Sequence, residues 1–97
     1  MGPSRSIYAG LNTLATTASR TIVDRILTYY GWTNLFELVM TGDDVTNHKP
    51  HPECYLKILA RLGTTCEDAV AFEDSETGVA AAKAAGINVI KVAFEAY

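Results

Sequence analysis

Four side chains in this 97-residue sequence have the types that handling a phosphate group requires: Thr16, Lys49, Glu73 and Asp74. Phosphoryl transfer leaves a protein two main tasks, positioning the group and stabilising charge spread over its oxygens. A hydroxyl can donate to one oxygen, a lysine can offset the charge on another, and carboxylates can hold a magnesium ion that bridges to the group in transit. Taken singly, each residue has an ordinary explanation. Thr16, or its neighbour Thr17, suits a β-branched strand residue before a turn. Lys49 suits a solvated loop charge. Asp74 suits a helix cap, with Glu73 a neighbouring solvated acid. The "KPHP" setting favours Lys49, because the residue before a proline is biased to extended backbone that can aim the side chain inward.

Other polar groups carry less. Asp43 and Asp44 read as turn chemistry after a strand. His48 and His51 flank a proline on no common helix, and with no third ligand evident they read as polar loop residues. Cys54 and Cys66 have no C-x-x-C spacing and no neighbouring base to activate a thiolate, so they read as reduced thiols in packing or surface positions.

The elements that must position the four follow from periodicity. "LNTLAT", residues 11 to 16, reads as a short strand ending near Thr16. Val23, Ile26, Leu27 and Tyr30 fall on one helical face, with Ser19 as cap and Gly31 as stop. Leu38 to Thr41 is a second strand, closed by Gly42, Asp43 and Asp44. Pro52 suits a first helical position, and Tyr55, Ile58, Leu59 and Leu62 form the apolar stripe of a helix that Gly63 ends. "DAVAF" is a buried-type strand, "SETGVAAAKAAG" a helix whose Val79, Ala82 and Gly86 can press closely on a sheet, and "INVIKV" a last strand.

Alternating strands and helices predict an α/β fold, a partial Rossmann-like parallel sheet flanked by helices in three layers. Ligands of such sheets bind beyond the carboxyl ends of the strands. Thr16 and the pair Glu73 and Asp74 each fall at such an end, and Lys49 lies in the loop after another strand. Residues 1–10 read as a tail or expression remnant and residues 11–97 as one core.

In order, "LATTASR", "HKPHPECYLKILARLG" and "FEDSETGVAAAKAAG" resemble the second, third and fourth motifs of the haloacid dehalogenase-like hydrolase superfamily, in its beta-phosphoglucomutase and phosphoglycolate-phosphatase branch. The resemblance implies that Thr16, with Thr17 as fallback, is the phosphate-binding hydroxyl, that Lys49 is the phosphate-neutralising lysine, and that Asp74 with Glu73 binds Mg2+. It also implies a small phosphorylated metabolite as ligand. Members of the superfamily use an aspartate nucleophile in a D-x-D motif on a first strand, which sits between the strands bearing motifs two and four. No D-x-D occurs in this sequence, and no aspartate precedes Thr16. The helical cap domain that shapes substrate choice is missing too.

The sequence therefore resembles the carboxyl-terminal part of a hydrolase core, a truncated enzyme with little or no turnover alone. Loss of the central strand predicts exposed or directly paired strand edges. That gives a second expectation, a binding or assembly module that recruits a second copy or a missing amino-terminal fragment. A phosphorylation-dependent receiver domain would place its acids first and its lysine last, whereas here the hydroxyl comes first and the acid pair last.

Composition narrows the partners. A formal charge of −3 leaves no basic footprint for nucleic acid or an anionic membrane. With 48% hydrophobic and 20% charged residues, the sequence reads as an ordinary soluble domain. The opening "MGPSRSIYAG" lacks the apolar stretch of a secretory signal, and no segment approaches the roughly 20 apolar residues of a span. The expected location is the cytoplasm.

Overall fold

The computed structural model describes residues 12–93. The expected tail over residues 1–10 and the start of the first strand at Leu11 lie outside the described residues, as do residues 94–97. The fold is α/β, with parallel strands joined by helices, and it divides into two compact units, one ending at Asp44 and the other beginning at Val45. Among the described residues, no helix is long and apolar enough to cross a membrane.

The first unit is a strand, a helix and a parallel strand: β1 (Thr13–Ala15), α1 (Arg20–Tyr30) and β2 (Leu38–Met40), with Thr13 opposite Leu38 and Ala15 opposite Met40. Ser19 caps α1 as its sequence position predicts, its hydroxyl accepting from the Ile22 N–H. Gly31 ends the helix at φ 71°, a left-handed conformation that favours glycine. Of the expected apolar face only Val23 and Leu27 are buried. Ile26 lies at the flank of that face and is half-exposed, and Tyr30, the last helical residue, stacks on Trp32 with ring centroids 4.8 Å apart.

A 3-10 turn over Gly42–Asp44 follows β2. Its acids do more than close a turn. Asp43 accepts from the Arg20 N–H at the start of α1, 2.8 Å away. Asp44 accepts from the Thr41 N–H (2.7 Å), the Thr41 hydroxyl (3.1 Å) and the Arg20 guanidinium (2.8 Å). The Thr41 backbone bond, reinforced by Arg20, holds the Asp44 carboxyl below its ordinary range.

The second unit runs α2 (Glu53–Leu62), a 3-10 turn (Cys66–Asp68), β3 (Val70–Glu73), α3 (Glu76–Ala84) and β4 (Asn88–Lys91). β3 and β4 are parallel and in register, Val70 with Asn88 through Glu73 with Lys91. Pro52 stands at the cap of α2, one position before its expected place, within the ordinary uncertainty of a helix end. Gly63 stops that helix at φ 67°.

α2 buries Cys54, Tyr55, Ile58 and Leu59, while Leu62 in its last turn is half-buried. Ala81 and Ala82 of α3 are fully buried, small enough for the helix to lie close on its neighbours, and Ala85 and Ile87 extend this core. At Gly86 the close approach is to the Cys66 side chain, where a Cβ would lie 3.2 Å from Sγ. Val79 is half-buried and Gly86 is an exposed turn residue at φ 79°. The buried glycine of α3 is Gly78.

Strand alternation divides β3 between two faces. Ala71 and Glu73 are buried; Val70 and Phe72 are exposed, and so is Ile90, the partner of Phe72 on β4. Among the described residues each sheet has two strands, so β1 pairs with β2 alone and β3 with β4 alone.

Candidate functional site

Glu73 is the last residue of β3, and alternation sends its side chain to the buried face, where a carboxylate is tolerable only with partners. Two donors meet it on a single oxygen. Lys49 Nζ lies 2.8 Å from Glu73 Oε2, and the Tyr55 hydroxyl donates to that same atom. The lysine and glutamate side chains are only 10% and 8% exposed, so this is a buried ion pair. Lys49 also lies over the Tyr55 ring, 5.4 Å from its centroid, within the range of a cation–π contact.

The other carboxylate oxygen rests against the first turn of α3. A Cβ on Gly78 would come within 2.0 Å of Glu73 Oε1, so the glycine makes room for the acid. An isolated glycine within a helical pattern was the available signal for this contact. The apolar stripe of α2 accounts for Tyr55 in the sequence and gives no role to its hydroxyl. A tyrosine in such a stripe is equally a core residue, and only the position of Glu73 distinguishes the two.

The loop that carries Lys49 is braced from α2. Glu53 accepts from the Thr46 N–H (2.9 Å), the Asn47 N–H (2.8 Å) and the Asn47 side-chain amide (3.2 Å), and it pairs with Lys57 one turn on. The two backbone bonds pull its carboxyl down to about 2. The His51 N–H donates to the His48 carbonyl, and His51 Nδ1 accepts from the Glu53 N–H, so His51 is a loop residue as expected. The Lys49–Pro50 peptide is cis.

Asp74 differs from its neighbour. It is the first residue past β3, it is exposed, and its carboxylate has no hydrogen-bond or ion partner among the described residues. The cap of α3 is Ser75, whose hydroxyl accepts from the Gly78 N–H at 3.1 Å, so Asp74 is not occupied in capping. Among the described residues, no three His, Cys, Asp or Glu side chains gather in a metal-binding group. Burial pushes the Cys54 thiol up, which keeps it protonated and unreactive.

Thr16 and Thr17 belong to the first unit. The Thr16 N–H extends the ladder by donating to the Met40 carbonyl (2.9 Å), and Thr16 Oγ1 accepts from the Ala18 N–H (3.2 Å), leaving the hydroxyl proton to donate elsewhere. Thr17 is exposed. The loop is held by Gly42, whose N–H donates to the Ala18 carbonyl at 2.8 Å. A Cβ on Gly42 would lie 2.2 Å from the Thr17 carbonyl oxygen.

A family model described as haloacid dehalogenase-like hydrolase matches residues 11–92. The phosphorylated carbohydrates phosphatase of Thermotoga maritima is 53% identical over 55 residues, 57% of this chain and 26% of that protein. The fructose-1-phosphate phosphatase of Escherichia coli is 33% identical over 79 residues, 81% of this chain and 42% of that protein. Among solved structures, CbbY from Rhodobacter sphaeroides in complex with phosphate superposes with a TM-score of 0.81 at 34% identity, over 92% of this chain and 41% of that one. The chain thus spans between about a quarter and two fifths of the length of these proteins.

Proposed function

The chain belongs to the haloacid dehalogenase-like hydrolase family, and from that premise we propose that it is part of a hydrolase of small phosphate esters with little or no turnover by itself. The observation that carries this reading is the buried Lys49–Glu73 pair followed in sequence by the exposed Asp74, which no described residue engages. Lys49 offers its charge to a phosphate oxygen, and Glu73 holds the lysine in place. Thr16, or Thr17 in the same loop, is the candidate hydroxyl donor of the first unit. The named substrates of the Thermotoga and Escherichia relatives, and the phosphate bound to CbbY, support a small phosphorylated metabolite as the ligand class.

Magnesium usually keeps several waters and is held through one or two carboxylates plus substrate oxygens. Asp74 fits that requirement, whereas the Glu73 oxygen shared by Lys49 and Tyr55 is already engaged. The chain's own contribution to a Mg2+ shell is therefore partial and the binding weak. When bound, the ion would offset charge on the phosphate oxygens. Since no D-x-D occurs in the sequence, the group that attacks phosphorus is not among these residues. A cytoplasmic location accords with the free thiols of Cys54 and Cys66.

The test is Mg2+-dependent hydrolysis of an aryl phosphate by the purified chain. The expected result is no turnover alone, and restored turnover on mixing with an amino-terminal fragment that carries D-x-D. Robust turnover by the chain alone that Asp74→Ala abolishes would overturn the inactive reading.

A second reading is an assembly module that pairs with another copy of the chain. The exposed apolar residues Val70, Phe72 and Ile90 on one face of the β3–β4 sheet favour it. Light scattering through a dilution series checks it: a strictly monomeric chain at every concentration removes it.

A further inference from the structure

Tyr55 touches both members of the buried pair, its hydroxyl on Glu73 Oε2 and its ring under the Lys49 ammonium. We propose that Tyr55 is a positioning residue for phosphate binding, which keeps Lys49 in place while leaving part of its charge available to the ligand. The proposal rests on the reading of Lys49 as the phosphate-binding lysine.

Lys49 and Tyr55 donate to the same carboxylate oxygen. A carboxylate whose only donor is an ammonium draws that ammonium fully onto itself. A second donor on the same oxygen satisfies part of the carboxylate's demand without adding charge. The lysine is then less completely neutralised by its partner and has more to offer an incoming anion.

The ring supplies the other constraint. Lying 5.4 Å below the ammonium, it gives Lys49 an aromatic face to rest on, so the side chain is held from two directions at little cost in its charge. Tyr55 is itself fixed. It is buried in the first turn of α2, between buried Cys54 and the Ile58–Leu59 core, so its hydroxyl has little freedom to leave Glu73.

The experiment measures binding of inorganic phosphate to the intact chain by 31P NMR, with the melting temperature of each variant recorded alongside. Tyr55→Phe keeps the ring and removes the hydroxyl, and it is expected to weaken phosphate binding about fivefold, a fraction of the worth of a charge-assisted hydrogen bond. Tyr55→Leu removes both contacts and weakens it further. Ile58→Val, in the same helix and equally buried, lowers the melting temperature while leaving phosphate affinity unchanged. The double variant Lys49→Met/Glu73→Gln removes the site without stranding a buried charge and abolishes binding.

The outcomes separate cleanly. If Tyr55→Phe binds phosphate as the wild type does while the double variant does not, the role of Tyr55 is overturned and that of Lys49 stands. Equal weakening in Tyr55→Phe and Ile58→Val means that Tyr55 is structural only, which also overturns the proposal. A double variant that still binds, or a wild-type chain that does not, overturns the reading of Lys49 and the proposal with it.

Discussion

Each unit carries two adjacent acids at the carboxyl end of a strand, Asp43 and Asp44 after β2 and Glu73 and Asp74 at the end of β3, and the two pairs are used differently. In the first pair both carboxylates accept from backbone N–H groups, and Arg20 engages both, through its backbone at Asp43 and its guanidinium at Asp44. That bonding closes the turn on Thr41 and ties it to Arg20 of α1. In the second pair, one acid is buried on a lysine that belongs to a different loop, and the other is exposed with no partner among the described residues. Chemical type does not separate a turn from a site. What separates them is whether local backbone donors consume the charge.

The largest expected effect tests the buried half of the second pair. Lys49→Met leaves the Glu73 carboxylate in the interior with only the Tyr55 hydroxyl, and removing one partner of a buried ion pair typically costs about 3–5 kcal/mol. Urea unfolding should place the variant far below the wild type, and Lys49→Met/Glu73→Gln should recover most of the loss. A single variant as stable as the wild type would mean that Glu73 is no more buried than the acids after β2.

Next comes Gly78→Ala. In an ordinary helix interior alanine is favoured over glycine by about 1 kcal/mol. Here the added methyl would meet the Glu73 carboxylate, so the substitution is expected to destabilise by about 1–3 kcal/mol instead. A gain in melting temperature would show that the carboxylate does not rest on α3.

Much of this was legible beforehand, and the parts that were not have a common cause. Ser19, Gly31 and Gly63 marked helix ends correctly because caps and stops are decided within one turn of chain. The four strands and their parallel direction followed from the alternation of elements, while their division into two two-stranded sheets among the described residues did not. Lys49 and Glu73 each stand out by type, but their contact spans 24 positions, and nothing local encodes it. The role of Gly78 and the Tyr55 hydroxyl depends on that contact, so both were hidden with it. The position of Asp74 in the sequence suits a cap, and Ser75 next to it does that work.

Acid titration sharpens the contrast further, with a smaller effect. Glu53, like Asp44, accepts from backbone N–H groups, and its carboxyl is pulled from an ordinary 4.5 to about 2. A depressed carboxyl contributes stability that is fully present above its unfolded value and is lost as pH falls through the folded one. The difference in urea midpoint between wild type and Glu53→Gln should therefore hold steady above pH 4.5 and close progressively towards pH 2. A difference that survives unchanged at the acid end would mean that the carboxylate is not what braces the Lys49 loop.

The smallest expected effect is the one that matters most for function. Asp74→Asn removes a charge that no described residue uses, and a surface substitution of that kind stays within about 0.5 kcal/mol in unfolding experiments. A residue that costs little to neutralise, next in sequence to the acid that pairs with a buried lysine, is one whose charge is not committed to holding the fold. If Asp74→Asn instead destabilises as a cap or an ion pair would, then Glu73 and Asp74 are a structural pair like Asp43 and Asp44. The distinction between the two units would then disappear. If stability is unchanged while Mg2+ binding, followed by titration calorimetry, is lost, the charge of Asp74 serves a ligand, and the two acids at the end of β3 divide the work between holding a lysine and holding a metal.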